Sequence, residues 1–239
     1  MQSNIYVAVS GQLSLLRRLE TVAQNIANLG TPGYRTERVS FEEILSRSGD
    51  ATTSFVSEGR TFISKQSGAL DKTGNPLDVA VNGEAWLGLL TPTGVAYTRD
   101  GRMTISPTGE LLSAQGFPIV DVGGSPLQIN ANGSPPAIGK DGSLVQDGVN
   151  LGRIGLFTIP AGSNLRRQDI GGVIPDQPAE PALDFNSVSI AQGFIERSNT
   201  NPVMEMTRLI SIQRTFDAIS NSVAETEEGL ANAIRTLGG

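Results

Sequence analysis

From Leu209 to the end of the chain, Leu209, Ile212, Phe216, Ile219, Val223, Thr226, Leu230, Ala233 and Leu237 recur at alternating steps of three and four. That is the spacing of an a/d seam, the stripe along which one helix packs lengthwise on another. A poorer copy stands at the other end of the sequence, in Val9, Gln12, Leu16, Leu19, Ala23 and Ile26. A single amphipathic helix ordinarily packs on the core of its own domain. Here the longer seam runs for about four heptads, more than a short domain helix needs. The pattern predicts that residues 1–33 and 201–239 pair as a coiled-coil-like helical domain. Small residues at Ser211, Ser220, Ser222, Ala224 and Ala231 admit close approach by further helices. Sticky helical termini suit a subunit that assembles, so Val9, Leu16, Leu19, Ile26, Leu209, Ile212, Phe216, Ile219, Val223, Leu230 and Leu237 are the candidate assembly residues.

Between the ends the apolar period changes to two. Leu77–Val81, Ala85–Leu90 and Val95–Arg99 read as strands, as do Leu111–Leu112, Ser143–Gln146 and Ile154–Ile159. Asn82-Gly83, Asp100-Gly101, Asp141-Gly142 and Asp147-Gly148 punctuate them. A two-residue Asp-Gly loop between alternating segments predicts a hairpin at Asp100-Gly101. Residues 76–183 thus form a central antiparallel domain, sandwich or open barrel, giving an α+β chain overall. Residues 34–75 read as a connector, with one helical turn at Phe41, Ile44 and Leu45 and an exposed polar stretch from Ser46 to Ser57. Gly171-Gly172, Pro175, Pro178 and Pro181 predict an irregular loop, and 184–200 a return segment. Leu29-Gly30 is the expected end of the first helix, with Gly30 left-handed. In Thr31-Pro32-Gly33-Tyr34, Pro32 and Gly33 fit the two central positions of a type II turn. Asn201-Pro202 fits the cap and first position of the last helix.

Composition removes several chemistries. With neither Cys nor His, the chain has no zinc site of the usual kind, no thiol nucleophile and no imidazole base. A net charge of −6 opposes nucleic-acid binding, which needs clustered cations. No apolar run reaches spanning length, and Met1–Gly11 lacks the features of a secretory signal, so membrane insertion and a cleaved leader are not expected. Gly133 to Gly139-Lys140 has the wrong spacing for a phosphate loop, and Asp141 follows where Ser or Thr is needed. A carboxylate pair for sugar hydrolysis would have to come from acids such as Asp78, Glu84, Asp100 and Glu110, each placed beside a Gly, a strand end or a turn. No catalytic residue, metal or cofactor is assigned.

Three motifs resemble those of one family. Ser10-Gly11, Asn25-Ile26-Ala27-Asn28 and Thr31-Pro32-Gly33-Tyr34 are similar to the N-terminal signature of flagellar axial proteins of the rod and hook. Tyr97-Thr98-Arg99-Asp100-Gly101 resembles a central motif of that family. Glu196-Arg197-Ser198-Asn199 with Met206 to Gln213-Arg214-Thr215-Phe216 resembles its C-terminal signature, although Thr200 stands where the family usually has Val. The resemblance is nearest to basal-body rod proteins of the proximal, F type. It implies an inner domain of paired terminal helices lining a hollow shaft and an outer β-domain. It further implies export through the flagellar apparatus, helical assembly with other copies and neighbouring rod proteins, and a shaft that carries torque across the periplasm. The distal-rod subunit is the alternative within the family. A flagellum-exported carbohydrate-active enzyme is the alternative outside it, separable by an activity assay on peptidoglycan.

Overall fold

The computed structural model describes residues 2–41, 43–48, 51–56, 59–168 and 171–237. The chain divides into two units. The helical unit comprises Met1–Ala27, Glu37–Phe62 and Asn201–Gly239; the β unit comprises Asn28–Thr36 and Ile63–Thr200.

In the helical unit, α1 runs Gln2–Ala27 and α2 runs Pro202–Leu237. Pro202 opens α2 because its missing N–H would be unpaired there anyway. The Asn201 side chain caps it, its Oδ1 accepting from the Met204 amide at 3.2 Å. The two helices run antiparallel. Midway along α1, Gln12 Nε2 donates to Ser220 Oγ, while near its end Asn25 Nδ2 donates to Glu205 Oε2, one turn into α2. The expected helical turn at Phe41–Leu45 and the polar connector are replaced by strands. Glu43–Ser48 and Ala51–Val56 pair antiparallel in continuous register, and Glu37–Ser40 pairs with Arg60–Ile63. Alternating Ser, Thr and β-branched residues suit a pleated ribbon better than an isolated helical turn.

The β unit is built on a six-stranded antiparallel sheet whose middle strands are Ala85–Thr91, Gly94–Thr98 and Leu156–Thr158. Period two decides its two faces. Ala85, Leu87 and Leu89 enter a core with Leu111, Ile119, Leu144 and Ile154. Trp86 points the other way, into a second core with Tyr97, Phe157 and Val173. Asp147 (φ 51°) and Gly148 (φ 77°) form the two-residue turn between Ser143–Gln146 and Val149–Arg153.

Three local expectations are corrected. Asp100-Gly101 is not a hairpin. Gly94–Thr98 pairs within the six-stranded sheet, whereas Met103–Ile105 pairs with Leu111–Ser113 in another. The glycine is needed for space, since a Cβ on Gly101 would lie 1.8 Å from the Val79 carbonyl oxygen. The 171–182 segment is not irregular throughout. Gly172–Pro175 and Glu180–Pro181 are strands, the latter at the sheet edge where proline is tolerated. Finally, Gly33 (φ 69°), not Gly30, takes the left-handed conformation after α1.

Candidate assembly surfaces

Within the β unit the three family motifs meet. The Tyr34 amide donates to the Thr31 carbonyl at 3.2 Å, closing the turn that Pro32 and Gly33 were expected to form. Asn28 braces it, accepting the Thr31 hydroxyl on Oδ1. The turn lies so close to the central motif that a Cβ on Gly33 would sit 2.2 Å from the Asp100 amide nitrogen. The Gly33 amide itself donates to the Glu196 carbonyl at 2.8 Å, joining the third motif.

The junction is filled by charge. Glu196 Oε1 lies 2.8 Å from an Arg35 terminal nitrogen and accepts the Gly68 amide at 2.9 Å. Glu196 Oε2 lies 3.0 Å from Arg99 Nε, but too far off the N–H direction for a hydrogen bond, so that contact is purely ionic. Arg99 also donates to the Gly83 carbonyl, to Ser67 Oγ and, closely, to the Ala85 carbonyl. All three side chains are sealed from solvent, and both guanidinium groups stand over the Trp86 ring. Burial pulls the Arg35 pKa down to about 10, with repulsion from Arg99 adding to the shift and attraction to Glu196 opposing it. Such a triad contributes little net stability relative to an apolar filling, but losing one member strands the others.

Ser198 and Asn199 tie the strands beside it. Asn199 Oδ1 accepts both the amide and the hydroxyl of Thr36 at 2.7 Å, and Asn199 Nδ2 donates to the Gln66 carbonyl. Thr36 and Thr200 share a hydroxyl–hydroxyl bond, and Ser198 Oγ accepts the Thr200 amide. Tyr34 is buried beneath the Arg167 guanidinium. The motif residues Asn28, Thr31, Pro32, Gly33, Tyr34, Ser198 and Asn199 thus form one bonded locus. The residues that knit it electrostatically were missed in sequence reading, because each charge looks solvated when read alone. A signal was present: each motif carries or adjoins one member of the cluster, Arg35 directly after Tyr34, Arg99 within Tyr97–Gly101 and Glu196 at the head of Glu196–Asn199.

Asn25, the remaining N-terminal motif residue, works in the helical unit. Its side-chain amide brackets Glu37, donating to the carbonyl at 2.8 Å and accepting the amide at 2.9 Å. It and Glu205 are almost wholly buried, and Glu205 also binds Arg208. A groove of about 350 Å³ opens beside them, lined by residues including Arg18, Val22, Val39 and Ile212.

Along α2, Leu209, Ile212, Phe216, Ile219 and Val223 are half-buried between exposed neighbours. The side chains of Leu230 and Leu237 lie outside the described residues. On α1, Leu19 and Ile26 are half-buried, but Val9 and Leu16 are each 42% exposed. Among the described side chains of α1, the deeply buried ones are Ser14, Leu15, Val22 and Asn25, a stripe rotated from the expected seam. The rotation has a cause: α1 packs on the strands Glu37–Ser40 and Ala51–Val56 as well as on α2. Between α1 and α2 lies a second cleft of about 270 Å³, walled by Leu15, Leu16, Leu19, Ile212, Gln213, Phe216 and Asp217. Arg214, the neighbour of Gln213, is exposed.

Among the described residues no group of His, Cys, Asp or Glu could hold a metal, and no helix is long and apolar enough to cross a membrane. Asp78 accepts from Asn75, and Asp100 pairs with Arg102. Both acids are therefore engaged locally.

The sequence matches known protein families. The C-terminal region of flagellar basal body rod FlgEFG proteins matches residues 191–236. The flagellar hook protein FlgE/F/G D1 domain matches 80–146, and the flagella basal body rod protein family matches 5–35. The flagellar basal-body rod protein FlgF of Mesorhizobium japonicum is 45% identical over 238 residues, covering 100% of this chain and 99% of that protein. FlgF of Rhizobium meliloti is 43% identical over 239 residues, with the same coverage. The flagellar basal-body rod protein FlgG of Bacillus subtilis is 27% identical over 264 residues and 98% of each chain. On full-length similarity to these relatives, the chain belongs to the family of flagellar basal-body rod proteins, and within it to the FlgF type.

Proposed function

We propose that this chain is a structural subunit of the proximal part of the flagellar basal-body rod, a hollow shaft that carries torque from motor to hook. In this reading residues 1–33 and 201–239 form a coiled-coil-like inner domain. Residues 76–183 form the outer domain, joined by the 34–75 and 184–200 segments. Further copies and neighbouring rod proteins surround the subunit, which reaches its place in the periplasm through the flagellar export apparatus. The observation that carries the reading is the helical pair itself. From Leu209 to Val223 the seam of α2 is only half-buried, and a cleft remains between the helices. A shaft under torque needs subunit contacts that resist sliding, and interdigitated apolar helices provide them because close-packed interfaces do not flow. The greater identity to FlgF than to FlgG relatives favours the proximal over the distal reading. The local engagement of Asp78 and Asp100 speaks against the hydrolase.

The test is a Leu209→Asp/Phe216→Asp variant, tagged and traced in isolated basal bodies. It is expected to keep the β unit folded, to be absent from basal bodies and to abolish motility. A variant that enters the rod and swims normally would overturn the proposal.

A further inference from the structure

Asparagine is chemically labile, and most so before glycine, where no Cβ shields the next amide nitrogen and the backbone turns freely. The chain has two such steps, Asn82-Gly83 and Asn132-Gly133. Their surroundings differ. Asn82 lies in a strand, paired with Ser189. Arg99 holds the Gly83 carbonyl at 2.8 Å, and a Cβ on Gly83 would sit 2.3 Å from the Ser187 carbonyl oxygen. Reaction there requires the strand to open.

Asn132 stands on an exposed loop whose two ends are pinned by the buried Gln146. Gln146 Oε1 accepts the Asn130 amide at 2.8 Å, while its Nε2 donates to the Asn130 carbonyl at 2.9 Å and to the Ser134 carbonyl at 2.8 Å. Between the pins the Gly133 amide donates to the Asn130 carbonyl at 3.1 Å, and the Asn132 amide to Asn130 Oδ1 at 3.0 Å. Such short-range bonds at the surface open locally, without unfolding of the β unit. Among the described residues the Asn132 carboxamide makes no hydrogen bond. Opening one turn bond therefore frees the Gly133 nitrogen beside a side chain that nothing holds back.

We infer that Asn132 is a site of spontaneous deamidation, favoured over Asn82 by the fold and not by the local sequence. The Gly133 nitrogen gives its proton to hydroxide and adds to Asn132 Cγ. The carboxamide nitrogen departs as ammonia, leaving a cyclic imide. Water opens the ring at either carbonyl and yields aspartate or isoaspartate. The new carboxylate arises beside Asp147, whose Oδ2 would lie 2.9 Å from a Cβ on Gly133. Isoaspartate also lengthens the backbone between the Gln146 pins, so the loop cannot keep both. The modification thus loosens residues 130–134 as the molecule ages.

The test incubates the full-length protein in mildly alkaline buffer and locates deamidation by mass spectrometry of its peptides. Conversion at Asn132 is expected to be at least about tenfold faster than at Asn82, whereas in urea the two should react at similar rates. Equal rates in the native protein, or a faster Asn82, overturn the inference. So does persistence of the dominant deamidated species in an Asn132→Ser variant. Deamidated protein separated by anion exchange should exchange the Asn130 amide hydrogen faster than the parent; unchanged exchange there overturns the loosening.

Discussion

The two units bury their apolar residues very differently. In the β unit Leu87, Leu89, Leu111, Ile119, Leu144 and Ile154 are completely removed from solvent. In the helical unit, among the described residues, only Leu15 and Val22 of the apolar set are fully buried, and α2 buries only Glu205. Both units have patterned sequences; what differs is whether the pattern finds all its neighbours within one chain. The sheet has two faces and covers both itself. Among the described residues, the seam of α2 from Leu209 to Val223 is only half-buried. Ordering a residue costs about 1–2 kcal/mol of backbone entropy, which half-burial offsets poorly. Isolated helices are marginal in water for that reason. The expectation is therefore that the helical unit is ordered by its neighbours and that the β unit folds alone.

Substitutions that break this contrast fall in a definite order. Glu196→Ala leaves Arg35 and Arg99 buried without a counterion and is expected to destabilise the β unit by about 3–5 kcal/mol, read as a lower denaturation midpoint. A loss below about 1 kcal/mol would mean the cluster is hydrated, and the sealed junction would be wrong. Gly33→Ala forces a side chain into a left-handed position against the Asp100 backbone and should cost about 1–3 kcal/mol in the same assay. Asn201→Ala removes the cap of α2 and should lower helix content, at a cost of about 1 kcal/mol, without moving the β-unit transition. Gly11→Ala has the opposite sign. A Cβ there meets Ile219 Cδ1 at an ordinary 3.8 Å, so the change should stabilise α1 by about 0.5–1 kcal/mol, seen as added helical circular dichroism in the free subunit.

What the sequence makes legible follows the range of the interactions involved. The α2 cap and the Thr31–Tyr34 turn depend on neighbours a few residues apart, and each forms where its residues predict. The Asp100-Gly101 step misleads because the same dipeptide serves a tight turn or a close backbone crossing. Only the distant Val79 carbonyl decides between them. Pro175 and Pro181 mislead because prolines at strand ends and edges do not exclude pairing. The Arg35–Glu196–Arg99 junction was illegible as an ion cluster, its members lying far apart in the chain. The motifs that contain or adjoin them mark the place without revealing the bonds. In α1 the expected seam is rotated by partners, the strands Glu37–Ser40 and Ala51–Val56, that were read as connector.

Amide hydrogen exchange on the free full-length subunit measures the difference between the units directly. The account predicts that Ile212–Val223 in α2 exchange by local opening, orders of magnitude faster than Ala85–Thr91 in the central sheet, which should exchange only on global unfolding of the β unit. Equal protection in the two segments would show that α2 is stable without neighbours, and would contradict the claim that the helical unit is completed by assembly.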